Sequence, residues 1–127
     1  MLVWAGTIHW FSSRTGPEIE EMNIFELSDK VAHFCAFFAG APALVCALRW
    51  SFAWPWKRIV FAAALSLALY GAADEYHQTF TPNRTGADVF DWLGDALGGL
   101  AGVFVTRFIY ARLDRSKDPR QAAPARD

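Results

Sequence analysis

The sequence predicts an all-α integral membrane bundle of about four transmembrane helices, the first one short, on three observations. Hydrophobic residues make up 54% of the 127 and charged residues only 20%, with six tryptophans and eleven phenylalanines. That is more large apolar surface than a single aqueous core of this size needs. The apolar residues are also blocked into long runs rather than alternating, as bilayer-spanning helices require. Finally, acids and bases separate toward opposite ends of the helix order those runs imply.

The first segment, MLVWAGTIHWFSS (1–13), reaches about 20 Å as a helix and cannot alone cross a hydrocarbon core of about 30 Å. It lacks a basic n-region and an A-x-A site, so no cleavable signal peptide is expected. A charge-rich loop near residue 20 follows. The second segment runs from about Ser28 to Leu48, with Ser28 placed to cap its start and Pro42 expected to kink it. Cys35 and Cys46 share this segment, about 16 Å apart along a helix. That is too far for a disulfide, so both read as packing residues. The third segment spans about Trp56 to Phe80 and the fourth about Gly86 to Tyr110, each long enough to cross with some tilt. A membrane domain over 1–112 and a polar, disordered tail over 113–127 complete the expected organisation.

Charge orients these segments. Arg49, Lys57 and Arg58 flank the loop between segments two and three, and Arg107, Arg112, Arg115, Lys117, Arg120 and Arg126 lie at or beyond the end of segment four. Those nine of twelve basic residues predict that both termini and the 49–58 loop are cytoplasmic. Trp50, Trp54 and Trp56 around the same loop fit an interfacial aromatic belt. The opposite end takes Glu18, Glu20, Glu21, Glu26, Asp29, Asp74, Glu75, Asp88, Asp91 and Asp95, together with all three histidines. Polar residues of separate segments should therefore meet there.

Three clusters carry the chemistry. In SDKVAHF, Asp29 and His33 stand one helical turn apart beside Lys30. In DEYHQTFTPNR, Asp74, His77 and Gln78 share an arc of roughly 100°, with Glu75 beside it and Arg84 following. In the fourth segment Asp88, Asp91 and Asp95 fall on one stripe. Gly94, Gly98 and Gly102 continue it as a small-residue packing face. Ionisable groups in membrane segments cost at least a few kcal/mol and are kept facing a bundle interior or a wet cavity. Carboxylates crowded in this way cannot all ionise freely. Such a site can perform acid/base chemistry, with Asp74, Glu75, His33 or Gln78 as candidates, hold a divalent cation, or grip a cationic or hydrogen-bonding head group. Ion pairs that only dock helices are the structural alternative. No H-E-x-x-H, Cys/His cluster, P-loop, dinucleotide glycine motif or nucleophile elbow is present.

At these residues the chain resembles the VanZ-like family of small multi-pass bacterial membrane proteins. The resemblance rests on D-K-x-x-H-F at Asp29 to Phe34, D-E-x-x-Q-x-F-x-P-x-R from Asp74 to Arg84, and D-W-x-x-D-x-x-G-G-x-x-G from Asp91 to Gly102. It covers roughly residues 8 to 105. The chain departs from the family pattern at Asn83, where glycine is common, and at Asp95, where asparagine is common. The resemblance implies a multi-pass protein of the bacterial cytoplasmic membrane, in a family named for resistance to the glycopeptide teicoplanin. It implies no settled chemistry.

Three functions follow as expectations. The first is an envelope protein with an outward-facing polar site that binds or handles a lipid or lipid-linked head group, Arg84 taking a phosphate. The second is a membrane enzyme acting on a lipid-linked substrate. The third is a purely structural membrane protein. The expected partners are the bilayer and a lipid-linked envelope precursor, not nucleic acid; a divalent cation at the carboxylates is the one cofactor considered.

Overall fold

The computed structural model describes residues 1–22 and 28–116. Five helices form, and among these residues there is no strand: α1 (Leu2–Ser12), α2 (Gly16–Met22), α3 (Asp29–Ser51), α4 (Trp56–Gln78) and α5 (Val89–Ser116). α3, α4 and the Val89–Asp114 part of α5 are long and apolar enough to cross a membrane. α1 has 11 residues, about 16 Å, and is short as expected. Glu26 and the tail from Lys117 onward lie outside the described residues.

The bundle buries polar side chains at its acidic end and is apolar on its outer surface. Its apolar core is a narrow stripe of Phe37, Ala41 and Val45 on α3, Ile59, Ala63 and Leu67 on α4, and Val103 on α5. The spacing of four repeats on both α3 and α4, so each helix offers one row to its neighbour. Large apolar side chains such as Phe61, Leu69, Phe104 and Phe108 are instead more than half exposed, which is stable only against lipid.

α3 and α5 share the most extensive seam, and glycine makes it possible. A Cβ on Gly98 would collide with the backbone of Phe34, and one on Gly102 with Phe38 Oxygen and Ala41. One on Gly94 would sit 3.0 Å from the Lys30 carbonyl. Backbone-to-backbone approach of this kind is small-residue packing, as the stripe predicted. α3 continues through Pro42 to Ser51. Since proline has no N–H, the Phe38 carbonyl loses its helical donor where Gly102 packs closest.

α1 lies against α3 and α4 by different means. The Trp4 indole N–H donates to the Ala36 carbonyl at 2.9 Å and the Tyr70 hydroxyl donates to the Ala5 carbonyl at 2.8 Å. Gly40 leaves room for the Trp4 ring. The first turn of α1 thus stops midway along α3.

α2 occupies the expected charged loop. Glu18 accepts hydrogen bonds from the backbone N–H and the hydroxyl of Thr15, both at 2.8 Å, the side-chain-to-backbone half of a capping box at the start of α2. At the basic end, Arg49 and Arg107 lie over the Trp56 ring at 5.6 and 4.5 Å. Cys35 and Cys46 are free thiols, and Cys46 Sγ lies 3.4 Å from the Tyr110 hydroxyl.

Candidate functional site

The acidic end of the bundle holds most of its buried polar side chains: Asp95 is 0% exposed, Asp91 2%, Glu75 3%, Gln78 3%, Ser12 3% and Asp74 6%. Side chains of this kind are seldom buried without partners. Their partners divide them into two networks.

The first network joins α1, α4 and the loop after α4. Asp74 and Gln78, one turn apart, both point toward the end of α1. Asp74 Oδ1 accepts from the Ser12 hydroxyl at 2.5 Å, and Oδ2 accepts from Gln78 Nε2 at 3.0 Å. Gln78 Oε1 accepts from Arg84 Nη2 at 2.6 Å. The Thr81 hydroxyl donates to the Ser12 carbonyl at 3.1 Å, tying the loop to α1. A buried carboxylate is thereby linked through one amide to a half-buried guanidinium. Among the described residues no carboxylate pairs with Arg84, so its remaining donors are available.

The second network joins α3, α4 and α5. Lys30 Nζ lies 2.8 Å from Asp91 Oδ1 and 3.4 Å from Asp88 Oδ2. His33 Nδ1 lies 2.9 Å from Asp95 Oδ1 and 3.9 Å from Glu75 Oε1, and its Nε2 lies 3.9 Å from Asp29 Oδ1. Glu75 also pins the turn into α5: its Oε2 accepts the Asp88 amide at 2.9 Å and its carbonyl accepts the Ala87 amide at 3.1 Å. Asp88 caps α5 by accepting the Phe90 amide at 2.7 Å. That bond, followed by the Lys30 ammonium, holds its carboxyl below the usual range. Two groups of residues bring possible metal-ligating atoms within 4.8 Å of one another: His33, Glu75 and Asp95, and separately Asp29, His33 and Asp91.

Between the networks lies a cavity of about 550 Å³. Asp29 and His33 line it from α3, Asp74 and Gln78 from α4, Ser12 from α1, and Arg84 from the loop. Ile8, Phe11, Ile19, Met22 and Phe37 supply apolar surface. Such a lining suits an amphipathic group, with an anion for Arg84, hydroxyls or amines for the carboxylates, and a hydrocarbon part for the aromatic and aliphatic wall.

The sequence-derived residues are not all gathered here. Asp29, His33, Asp74, Gln78 and Arg84 meet at the cavity; Glu75, Asp91 and Asp95 lie behind it with Lys30 and Asp88. His77 stands apart, its ring against that of His9 at 4.6 Å between centroids, with Nε2 3.2 Å from the Ser13 hydroxyl. Gly94, Gly98 and Gly102 hold the seam beneath. Ser12 went unrecognised, although a serine pair closing an apolar run is a visible signal. Asn83 has φ of 57°, the left-handed region that glycine and asparagine tolerate. Asparagine is therefore accommodated at this position without the strain most side chains would meet. Its carbonyl packs on Gly16, where a Cβ would collide, so the loop and the start of α2 close on each other.

A family model described as VanZ/LLP1 matches residues 2–110. No curated protein and no solved structure matches the chain.

Proposed function

The chain belongs to the VanZ/LLP1 family, and from that premise we propose that it binds the head group of a lipid or lipid-linked envelope precursor in the acidic-end cavity. That it is a membrane protein of VanZ type follows from the family and from its three apolar helices. One observation carries the finer reading. Arg84, held by Gln78 and through it by buried Asp74, presents donors to a cavity that pairs an apolar wall with the acids Glu20, Asp29 and Asp74. A guanidinium so placed favours a phosphate, whose oxygens match its planar fork. In this reading the acidic end faces outward from a bacterial cytoplasmic membrane. The 49–58 loop and the end of α5 face the cytoplasm, in keeping with their basic residues.

The test is binding by the purified full chain in nanodiscs, read by native mass spectrometry with a polyisoprenyl phosphate as probe. Arg84→Ala and Gln78→Ala are expected to weaken binding at least about tenfold while helix content stays unchanged. Equal binding by wild type and both variants would refute the reading. A change in teicoplanin susceptibility on deletion, restored by wild type and not by Arg84→Ala, would extend it to glycopeptide resistance.

A further inference from the structure

His33, Glu75 and Asp95 form a set of donors with more electron pairs than partners. Each comes from a different membrane-spanning helix, α3, α4 and α5. Asp95 is wholly buried and Glu75 is 3% exposed, yet Glu75 Oε1 and Asp95 Oδ2 have no hydrogen-bond partner among the described residues. An unpartnered buried carboxylate oxygen costs its full desolvation unless something positive meets it. Glu75 Oε1 faces the His33 ring at 3.9 Å, and Asp95 Oδ1 is 2.9 Å from the same nitrogen. Gly71 provides the space: a Cβ there would approach Asp95 Oδ2 to 2.7 Å.

We propose that His33 Nδ1, Glu75 Oε1 and a carboxylate oxygen of Asp95 bind one first-row divalent cation, which ties α3, α4 and α5 together behind the cavity. Three arguments converge on it. Geometrically, ligands about 2.1 Å from a common ion lie about 3 to 3.4 Å from each other. Of the donors here, all within 4.8 Å of one another, His33 and Asp95 are already at 2.9 Å, and Glu75 has to move in by about an ångström. Electrostatically, two carboxylates share a low-dielectric interior with a single imidazole, and a dication that takes the place of the imidazole proton balances both. The nearest lysine does not serve, because Lys30 is engaged by Asp91 and Asp88. Chemically, one imidazole with two carboxylates is a borderline donor set suited to manganese, iron or zinc rather than calcium. The remaining His33 nitrogen lies 3.9 Å from Asp29 Oδ1, too far for a hydrogen bond but on the side where a carboxylate would orient a metal-bound imidazole.

The site lies outside the head-group cavity apart from the shared His33 ring, and the proposal does not rest on head-group binding. Its test uses the chelator-treated full chain in nanodiscs of phosphatidylethanolamine and phosphatidylglycerol, titrated with Mn²⁺ and read by the loss of the free-ion electron paramagnetic resonance signal. One Mn²⁺ per chain is expected, with an imidazole nitrogen coupling in the pulsed spectrum. Glu75→Gln and Asp95→Asn should each weaken binding at least tenfold. His77→Ala should bind like wild type, which sets aside the His9–His77 pair. No bound Mn²⁺ in wild type at a hundred-micromolar order of concentration would overturn the proposal, and so would undiminished binding by both carboxylate variants. Should either variant fail to fold, the nitrogen coupling in wild type decides alone: its absence from bound Mn²⁺ also overturns the site.

Discussion

Two of the neighbours of α3 hold it in two different ways. Toward α5 the contact is backbone on backbone, with Gly94, Gly98 and Gly102 against the Lys30, Phe34 and Phe38 turns. Toward α1 it is a side-chain hydrogen bond from Trp4 and a ring edge against Phe37, the centroids 5.3 Å apart. The first contact leaves no room between the helices, while the second stands beside a cavity. Dispersion and close approach replace the hydrophobic effect inside a bilayer, so stability belongs on the glycine seam. A ligand needs space and adjustable polar groups, which the α1 side supplies. The same helix therefore carries a rigid edge and an accommodating one.

Substitutions should separate the two edges. Gly98→Leu drives a side chain into the Phe34 backbone and is expected to destabilise the protein by about 3 kcal/mol or more, measured by denaturant unfolding in detergent. An unchanged midpoint would mean that the seam is not what holds α3. On the other edge, Gln78→Ala removes the link between Asp74 and Arg84. It should lower stability by only about 1 kcal/mol, in line with the modest worth of hydrogen bonds in membrane bundles. A loss as large as that of Gly98→Leu would show that the cavity side bears the fold.

Smaller effects should sharpen the contrast at the loop. Ala87 has φ of 60° and is held there by its amide bond to the Glu75 carbonyl. Ala87→Gly relieves that conformation and should raise stability by about 0.5 kcal/mol in the same unfolding experiment. The smallest effect concerns pH. The Asp88 carboxyl is held low by the Phe90 amide and by Lys30. Its contribution is therefore complete above the ordinary aspartate value of about 4 and is lost as pH falls through the lower folded value. Thermal midpoints should decline slightly on acidification below about pH 4, and Asp88→Asn should remove that part of the decline. A decline of unchanged size would reassign it to other carboxylates.

Much of the fold was legible because its signals are local. Trp56 opens α4 and Asp29 opens α3 where the apolar runs begin, and the glycine stripe of α5 lies on the face expected from its period. α2 was not anticipated: its residues read as a charge-rich loop, because seven residues give too little periodicity to mark a helix. Of the site, Asp74 and Gln78 were recognised as neighbours because they are one turn apart on a single helix. Ser12 was not, since its partnership with Asp74 crosses 62 positions and depends on the depth to which α1 inserts. His77 shows the converse: a shared arc with Asp74 and Gln78 predicted a shared site, yet a rotation of under half a turn puts it against His9.

Hydropathy and charge are properties of the chain, and by themselves they determined the membrane class, the three long spans, the polarity of the bundle and the end at which its acids collect. Which acid meets which base was decided only when the helices packed. Helix rotation and insertion depth set those pairings, and both depend on contacts among all the helices at once. That packing set Arg84 on Gln78 beside a cavity, gave Lys30 to Asp91, and placed near His33 two carboxylate oxygens that have no hydrogen-bond partner among the described residues.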